Sequence, residues 1–488
     1  MREALLTVDI GTTNVKSSLF LSGVPVAHSS RRISLAMDPD LGSAEQDPDE
    51  IVQAVFSIVR ELAPRAGDKS LSIALSSQMH ALGVLGGDGK PKSKLLTYFD
   101  TRAALILKEV EKVGYDLYLE TGCPPLHVYP LAKILLLKSK GAVGRSDRFL
   151  ISAKDYVLLK LTGEHVLDLP TASGSQLLDV TKLRWSSLAL SLADVDEENL
   201  PRPLEGSEAL HLSPEAAEAL GLPEDTVVYP GLSDAAANQI GVGVEEDTEL
   251  AANLGTSAAV RLLTRKPFFD DERMRFFVYY AGEGRWLVGG AVNNGGIVLD
   301  WCLRTLAEAE LEYSKLAGEH PLAVLDKLLQ RSPPGARGLI ALPFIAGGER
   351  FPIRSPTARG VVYGLSYTHT RADIIRALVE GVTFNLKWIY TAMLERGAKR
   401  ASTTRVGGGA ASLASWRQIL ADILGTAVCY TPGEDAALRG LQAYISRSPC
   451  RRECSELHQP SEAAVRVYER VFEEYVRLCS ALRGGSWL

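Results

Sequence analysis

The chain has 488 residues, of which 46% are hydrophobic and 23% charged, with a net charge of −6. That is the composition of a globular protein with chain enough for roughly two to four domains. The absence of a basic block argues against nucleic acid and anionic membrane surfaces, and no apolar run is long enough to span a bilayer.

The chain runs at once into an apolar strand, leaving no room for a signal peptide, so a cytoplasmic location is expected. Residues 4–10 and 15–21 read as a hairpin around Gly11-Thr-Thr13. Residues 73–76 form a short apolar strand, followed by Ser77-Gln78-Met79-His80. Residues 82–85 form another, closed by the turn Gly86-Gly87-Asp88-Gly89. A helix over 154–161 stops at Thr162-Gly163. Residues 192–226, rich in acidic residues, Pro and Ala, read as surface structure rather than core.

The second half is better marked. Thr370 and Asp373 form a capping box ahead of a long helix whose apolar face is Ile374, Ile375, Leu378 and Val382. Trp416, Ile419, Leu420, Ile423 and Leu424 follow at helical spacing, with Gly425 as the stop. Val406-Gly407-Gly408-Gly409-Ala410 stands just before that helix. Three glycines there favour close approach of backbone N–H groups to a ligand. A last helix runs over 466–482. The six cysteines are too scattered for a disulfide framework. Cys450, Cys454 and His458 would share one helix face, but zinc sites show tighter Cys pairs and a fourth ligand, so a reduced surface helix is expected.

One phrase occurs twice. Leu6-Thr-Val-Asp-Ile-Gly-Thr-Thr13 returns as Leu250-Ala-Ala-Asn-Leu-Gly-Thr-Ser257, an offset of 244 residues in a chain of 488. Two facing Gly-Thr turns can hold a polyphosphate between similar halves. Asp9 in the first copy is Asn253 in the second, so one side alone brings a carboxylate for magnesium. No Walker loop, G-x-G-x-x-G or H-E-x-x-H accompanies these turns, so phosphate chemistry would need another scaffold. Asp234 follows Ser233, a helix cap, and leads into Ala235-Ala-Ala-Asn-Gln239. The helix dipole favours its charged form, and a weak base of low pKa suits a loose phosphoryl-transfer transition state.

These pieces resemble the FGGY family of carbohydrate kinases along nearly the whole chain. The matching motifs are Asp9-Ile-Gly-Thr-Thr-Asn-Val-Lys16, Glu45-Gln-Asp-Pro48, Ser76-Ser-Gln-Met-His80, Asp100-Thr-Arg102, Lys154-Asp-Tyr156, Ser233-Asp234, Leu254-Gly-Thr-Ser257, Asn293-Asn-Gly-Gly296, Gly348-Glu-Arg350 and Gly407-Gly-Gly-Ala410. The resemblance implies an α/β fold of two ribonuclease-H-like (actin-like) domains flanking a deep catalytic cleft. Residues 1–245 would bring the sugar site, magnesium and the base, and residues 246–488 the nucleotide. It implies ATP and Mg2+ as cofactors, Asp234 as catalytic base, and Asp9 with Asp234 at the metal. Gly11, Thr12, Thr13, Gly255 and Thr256 would meet the phosphates; Gly296, Asp300, Gly408 and Gly409 would surround the adenosine. Gln78, Met79 and His80 would join Asp234 at the sugar. Lys16 is read as a strand-face charge.

Thr121-Gly-Cys-Pro124, His127, Tyr129-Pro-Leu-Ala-Lys133 and Gly289-Gly-Ala-Val-Asn-Asn-Gly-Gly296 most resemble gluconate kinases, which implies D-gluconate going to 6-phospho-D-gluconate. Gln78-Met79-His80 instead resembles xylulose kinases and makes D-xylulose or another ketose or polyol the alternative. An actin-like or chaperone-type ATPase would share the fold but lack a base aimed at a sugar. The expected partner is a small-molecule sugar or sugar acid, with no nucleic acid and no membrane, and a homodimer is the assembly considered.

Overall fold

The first two apolar strands turn back on each other, the turn closed by Gly11 N donating to Asn14 O at 3.0 Å, and that hairpin belongs to a six-stranded sheet. The structure is a computed structural model and describes residues 4–482 except 39, 245, 434 and 451. Strands β1 (Ala4–Ile10), β2 (Asn14–Leu21), β3 (Val24–Arg32), β4 (Leu71–Ser77), β5 (Leu210–His211) and β6 (Val227–Ser233) lie in the order β5-β6-β4-β1-β2-β3. A second sheet contains β7 (Glu249–Leu254), β8 (Ala258–Thr264), β9 (Phe277–Gly282), β10 (Arg285–Val292), β11 (Thr403–Gly407), β12 (Ala427–Tyr430) and β13 (Glu456–His458). Their order is β9-β10-β8-β7-β11-β12-β13.

The two sheets repeat one plan. β1 pairs antiparallel with β2 and parallel with β4, which pairs parallel with β6. β7 pairs antiparallel with β8 and parallel with β11, which pairs parallel with β12. Each repeated phrase therefore occupies the same corner of its own sheet. The expected boundary at 245/246 falls on Glu245, outside the described residues.

Helices α1 (Pro48–Leu62) and α2 (Ala153–Thr162) bury Ile51, Val55, Ile58, Tyr156 and Leu158 in the core of the first sheet. Asp47 caps α1, and Ser152 with Asp155 forms a capping box on α2. In the second half, α4 (Arg371–Glu395) starts at the expected Thr370–Asp373 capping box and buries Ile375, Leu378 and Val382. Ile374 is only half-buried. On α5 (Ala414–Leu424), Trp416 is fully buried and donates its Nε1–H to Thr383 Oγ1 at 3.0 Å, locking α5 to α4. Gly425 ends α5 in the left-handed conformation. The last helix, α7, is Glu462–Leu482. No helix among the described residues is long and apolar enough to cross a membrane.

Two expectations are corrected. The 192–226 segment is not only surface, because Leu204, Leu210, Leu212 and Leu220 are buried in the first core. Sparse large apolar residues hid this: the short strands there contribute one leucine each, and the helix Pro214–Leu220 adds Leu220 with two small alanines. The stretch holding Cys454 and His458 is not helical. Cys454 is disulfide-bonded to Cys429, and Arg417 Nε donates to His458 Nε2 at 3.1 Å, so neither a reduced surface helix nor a metal site forms there.

Helices α3 (Asp234–Gly241) and α6 (Ala436–Ser446) cross between the halves almost backbone to backbone. A Cβ on Gly241 would lie 1.7 Å from Ala436 O, and one on Gly440 would lie 1.8 Å from Ala237 O. Neither position tolerates a side chain without parting the helices. Gly440→Ala should destabilise the protein by about 1–3 kcal/mol through overpacking. Denaturant unfolding followed by circular dichroism checks this, and wild-type stability would show that the helices part freely.

Candidate active site

The crossing places the starts of α3 and α6 on the floor of the cleft, where two cavities adjoin. Ser233 caps α3 by accepting from Ala236 N, so Asp234 stands at the first helical position. It lines an inner pocket of about 180 Å³ with Thr12, Gln78, Met79, His80 and Arg350. An outer cavity of about 430 Å³ holds Asp9, Lys16, Gly408, Gly409 and Asp435. Asn253 and Arg261 line both.

Part of the inner pocket wall is aromatic. Tyr129 and Tyr279 share a hydrogen bond between their hydroxyls at 2.8 Å, and Phe277 stacks on Tyr279. Thr12 Oγ1 donates to Gln78 Oε1 at 2.8 Å; Gln78 in turn donates to Gln46, whose Nε2 also donates to Thr12 O at 2.7 Å. This closed ring fixes Gln78. His80 has φ of +69°, an unusual conformation for a non-glycine residue, at the bend after β4. Burial pushes its pKa down to about 3, so it is neutral. Its Nδ1 lies 2.7 Å from Gly174 O and must carry the proton, which leaves Nε2 as an acceptor.

Arg350 is aimed by its neighbours. Its Nε donates to Asn293 Oδ1 at 2.7 Å. The buried carboxylate of Glu349 accepts from Asn293 N and from Asn294 Nδ2, and Asn294 Nδ2 also donates to Gly348 O. The Asn293-Asn294 loop thus clamps the Gly348-Glu-Arg350 segment.

Below both cavities lies the fully buried pair of Lys154 and Asp168, with Lys154 Nζ donating to Leu232 O at 2.7 Å. Its charge faces Asp234 and Asp9 from beneath. Asp234 is raised above the ordinary carboxylate range by burial, against the opposing pull of Arg261 and the Ala235 N–H. The helix dipole alone had set the expectation of a low pKa; desolvation outweighs it. Asp9 accepts from Ser76 Oγ at 2.6 Å. Burial, then the nearby Asp435 carboxylate, push it up to about 7.

Other expected contacts are distributed differently. Gly11 and Thr12 line the inner pocket rather than the outer cavity. Thr13, Thr256 and Asp300 are exposed and line neither. Gly255 and Gly296 meet directly, Gly296 N donating to Gly255 O at 2.7 Å, and a Cβ on Gly408 would lie 2.5 Å from Leu254 O. The wall of the inner pocket draws on both halves, since Arg261, Phe277, Tyr279 and Arg350 come from the second. Sequence reasoning gave no role to Arg261 or Arg350. The available signal was a lone charge in the otherwise apolar strand Ala258–Thr264.

Two ribonuclease-H-like halves thus face one another, with Asp234 at the inner pocket and Asp9 at the outer cavity, and the family matches make the chain a phosphotransferase. Residues 4–241 match the N-terminal domain of the FGGY family of carbohydrate kinases, and residues 250–442 match its C-terminal domain. The chain belongs to this family, whose members phosphorylate small-molecule sugars with ATP and Mg2+. It is 32% identical to the gluconokinase of Bacillus licheniformis, over 99% of this chain and 96% of that one. It is 29% identical to the xylulose kinase of Escherichia coli strain K12, over 88% and 86%. The crystal structure of gluconate kinase from Lactobacillus acidophilus superposes with a TM-score of 0.90 at 28% identity, covering 100% and 99% of the two chains.

A buried carboxylate held up by desolvation fits a divalent cation, since magnesium takes one or two carboxylates beside substrate phosphates. Without the cation, Asp9 resists ionising in the fold while the unfolded chain ionises from its ordinary 3.8. A raised folded pKa favours folding at low pH and loses that advantage as pH rises through about 7. In metal-free buffer, Asp9→Asn should therefore gain melting temperature over the wild type as pH rises from 4 to 8. Scanning fluorimetry across that range checks this; a constant difference would mean that Asp9 ionises freely.

Proposed function

We propose that the protein is a gluconokinase of the cytoplasm, transferring the γ-phosphoryl group of ATP to the terminal hydroxyl of D-gluconate to give 6-phospho-D-gluconate. The observation that carries this reading is the charge of the inner pocket. Two guanidinium groups, Arg261 and Arg350, face it against the single carboxylate of Asp234. A surplus of positive charge suits an anionic acceptor better than a neutral sugar. Arg350 is the natural partner of the substrate carboxylate, because it lines the inner pocket and its charge faces His80, Tyr129 and Tyr279 on the same wall. A fixed planar guanidinium matches a carboxylate in two parallel hydrogen bonds.

In this reading residues 1–245 supply the base and metal ligand, and residues 246–488 the nucleotide loops. Neutral His80 accepts from a substrate hydroxyl, and the Gln78 ring orients the chain of hydroxyls. Asp234 orients the attacking hydroxyl and takes its proton. Its raised pKa makes it a stronger base than a surface aspartate. Asp9, with Asp234 beside it, would hold magnesium, which neutralises the phosphates. The relatives named gluconokinase support the acceptor; the xylulose-kinase relatives and the Gln78-Met79-His80 wall support a ketose instead.

Coupled measurement of ADP release across gluconate, xylulose, ribulose and glycerol should give the highest kcat/KM with gluconate. A preference for xylulose would overturn the sugar-acid reading. Asp234→Asn keeps size and capping but removes basicity, so kcat should fall by about 10²–10⁴-fold. Nucleotide affinity by calorimetry should change little. A kcat within a few-fold of wild type would put the base elsewhere.

A further inference from the structure

Arg261 stands where the two cavities meet. Strand β8 pairs it with Ala251 on β7 and Gly289 on β10, in the middle of the second sheet. A Cβ on Gly289 would come within 2.8 Å of Arg261 Cα, so only glycine leaves the strand its place there. From this position the side chain lines both the inner pocket and the outer cavity. Its Nε is buried and has no hydrogen-bond partner among the described residues. Asp234 is the opposing charge acting on it, and Arg350, which also lines the inner pocket, repels it. A buried guanidinium nitrogen without an acceptor is costly unless a ligand supplies one.

We propose that Arg261 is a catalytic residue that binds the phosphoryl group during its passage from the outer cavity to the inner pocket. The bond from the γ-phosphorus to the β–γ bridging oxygen breaks as the bond from the acceptor oxygen forms. The electron pair of the broken bond stays on ADP, and the hydroxyl proton moves to Asp234. Charge spreads over the three equatorial oxygens of the phosphoryl group in between, and a guanidinium placed on the shared wall can follow it through transfer. Arg350 differs: it lines the inner pocket alone and its Nε is already committed to Asn293.

This proposal rests on phosphoryl transfer and not on which sugar accepts, so it is tested with whichever acceptor the protein uses best. Arg261→Met should lower kcat by about 10²–10³-fold, as loss of one preorganised transition-state donor does. It should do so with anionic and neutral acceptors alike, and should lower acceptor-free ATP hydrolysis in the same proportion. The acceptor KM should move only a few-fold. Arg261→Lys should restore part of kcat, as a point charge without the planar fork. A raised KM for gluconate, with hydrolysis and neutral acceptors unaffected, would make Arg261 a carboxylate anchor and overturn the proposal. Nucleotide affinity and melting temperature separate misfolding from a catalytic defect. If the methionine variant does not fold, Arg261→Lys and Arg261→Gln carry the same readout: equal losses across acceptors and hydrolysis support the role, and unequal losses overturn it. A protein that prefers xylulose would end the gluconate reading and leave this test intact.

Discussion

The architecture depends on one close contact, the crossing of α3 and α6 at Gly241 and Gly440. Backbone meets backbone there, with no side chain between the helices at the crossing. Both helices begin at the floor of the cleft, one with Asp234 and the other capped by Asp435. Side chains between them would lift those starts apart and separate the two cavities. Glycine at the crossing is therefore a condition for acceptor and donor to adjoin.

On that floor, desolvation and charge are set against each other. Asp9, Asp234 and Asp435 crowd a small volume, and burial raises the first two. The opposing charges are spread over three layers: Lys154 beneath, Arg261 on the shared wall and Lys16 at the edge, the last paired with Asp435 at 2.8 Å. Lys154 is itself neutralised by Asp168, so it holds the strand before Asp234 in place while contributing a modest field. The result is a site whose carboxylates keep their positions without a cation and whose pKa values stay open to one.

Much of this was legible in the sequence because it is local. The repeated Gly-Thr phrase, the Thr370–Asp373 cap, the Trp416 face and the Ser233 cap on Asp234 each need only a few neighbouring residues. What was illegible is long-range. Arg350 gains its aim from Asn293, fifty-seven positions away, and the Cys429–Cys454 bond joins residues separated by 25 positions with no spacing signal. Asp234 shows the limit for chemistry as well as shape. Its cap was readable, yet its pKa follows from burial, which only the folded chain defines. The 192–226 segment fails for a related reason, since composition averages over the few leucines that reach the core.

The doubling of the sheet has a consequence for direction. A perfectly repeated molecule would present the same group at both Gly-Thr turns, and a phosphate chain could thread it either way round. Here the first turn keeps a carboxylate at Asp9 while the second offers the amide of Asn253, which lines both cavities. An amide cannot replace a carboxylate as counter-charge to a cation. Within the repeated turn the near-symmetry is thus broken at the group that faces a cation, and that difference helps to give the cleft a donor end and an acceptor end.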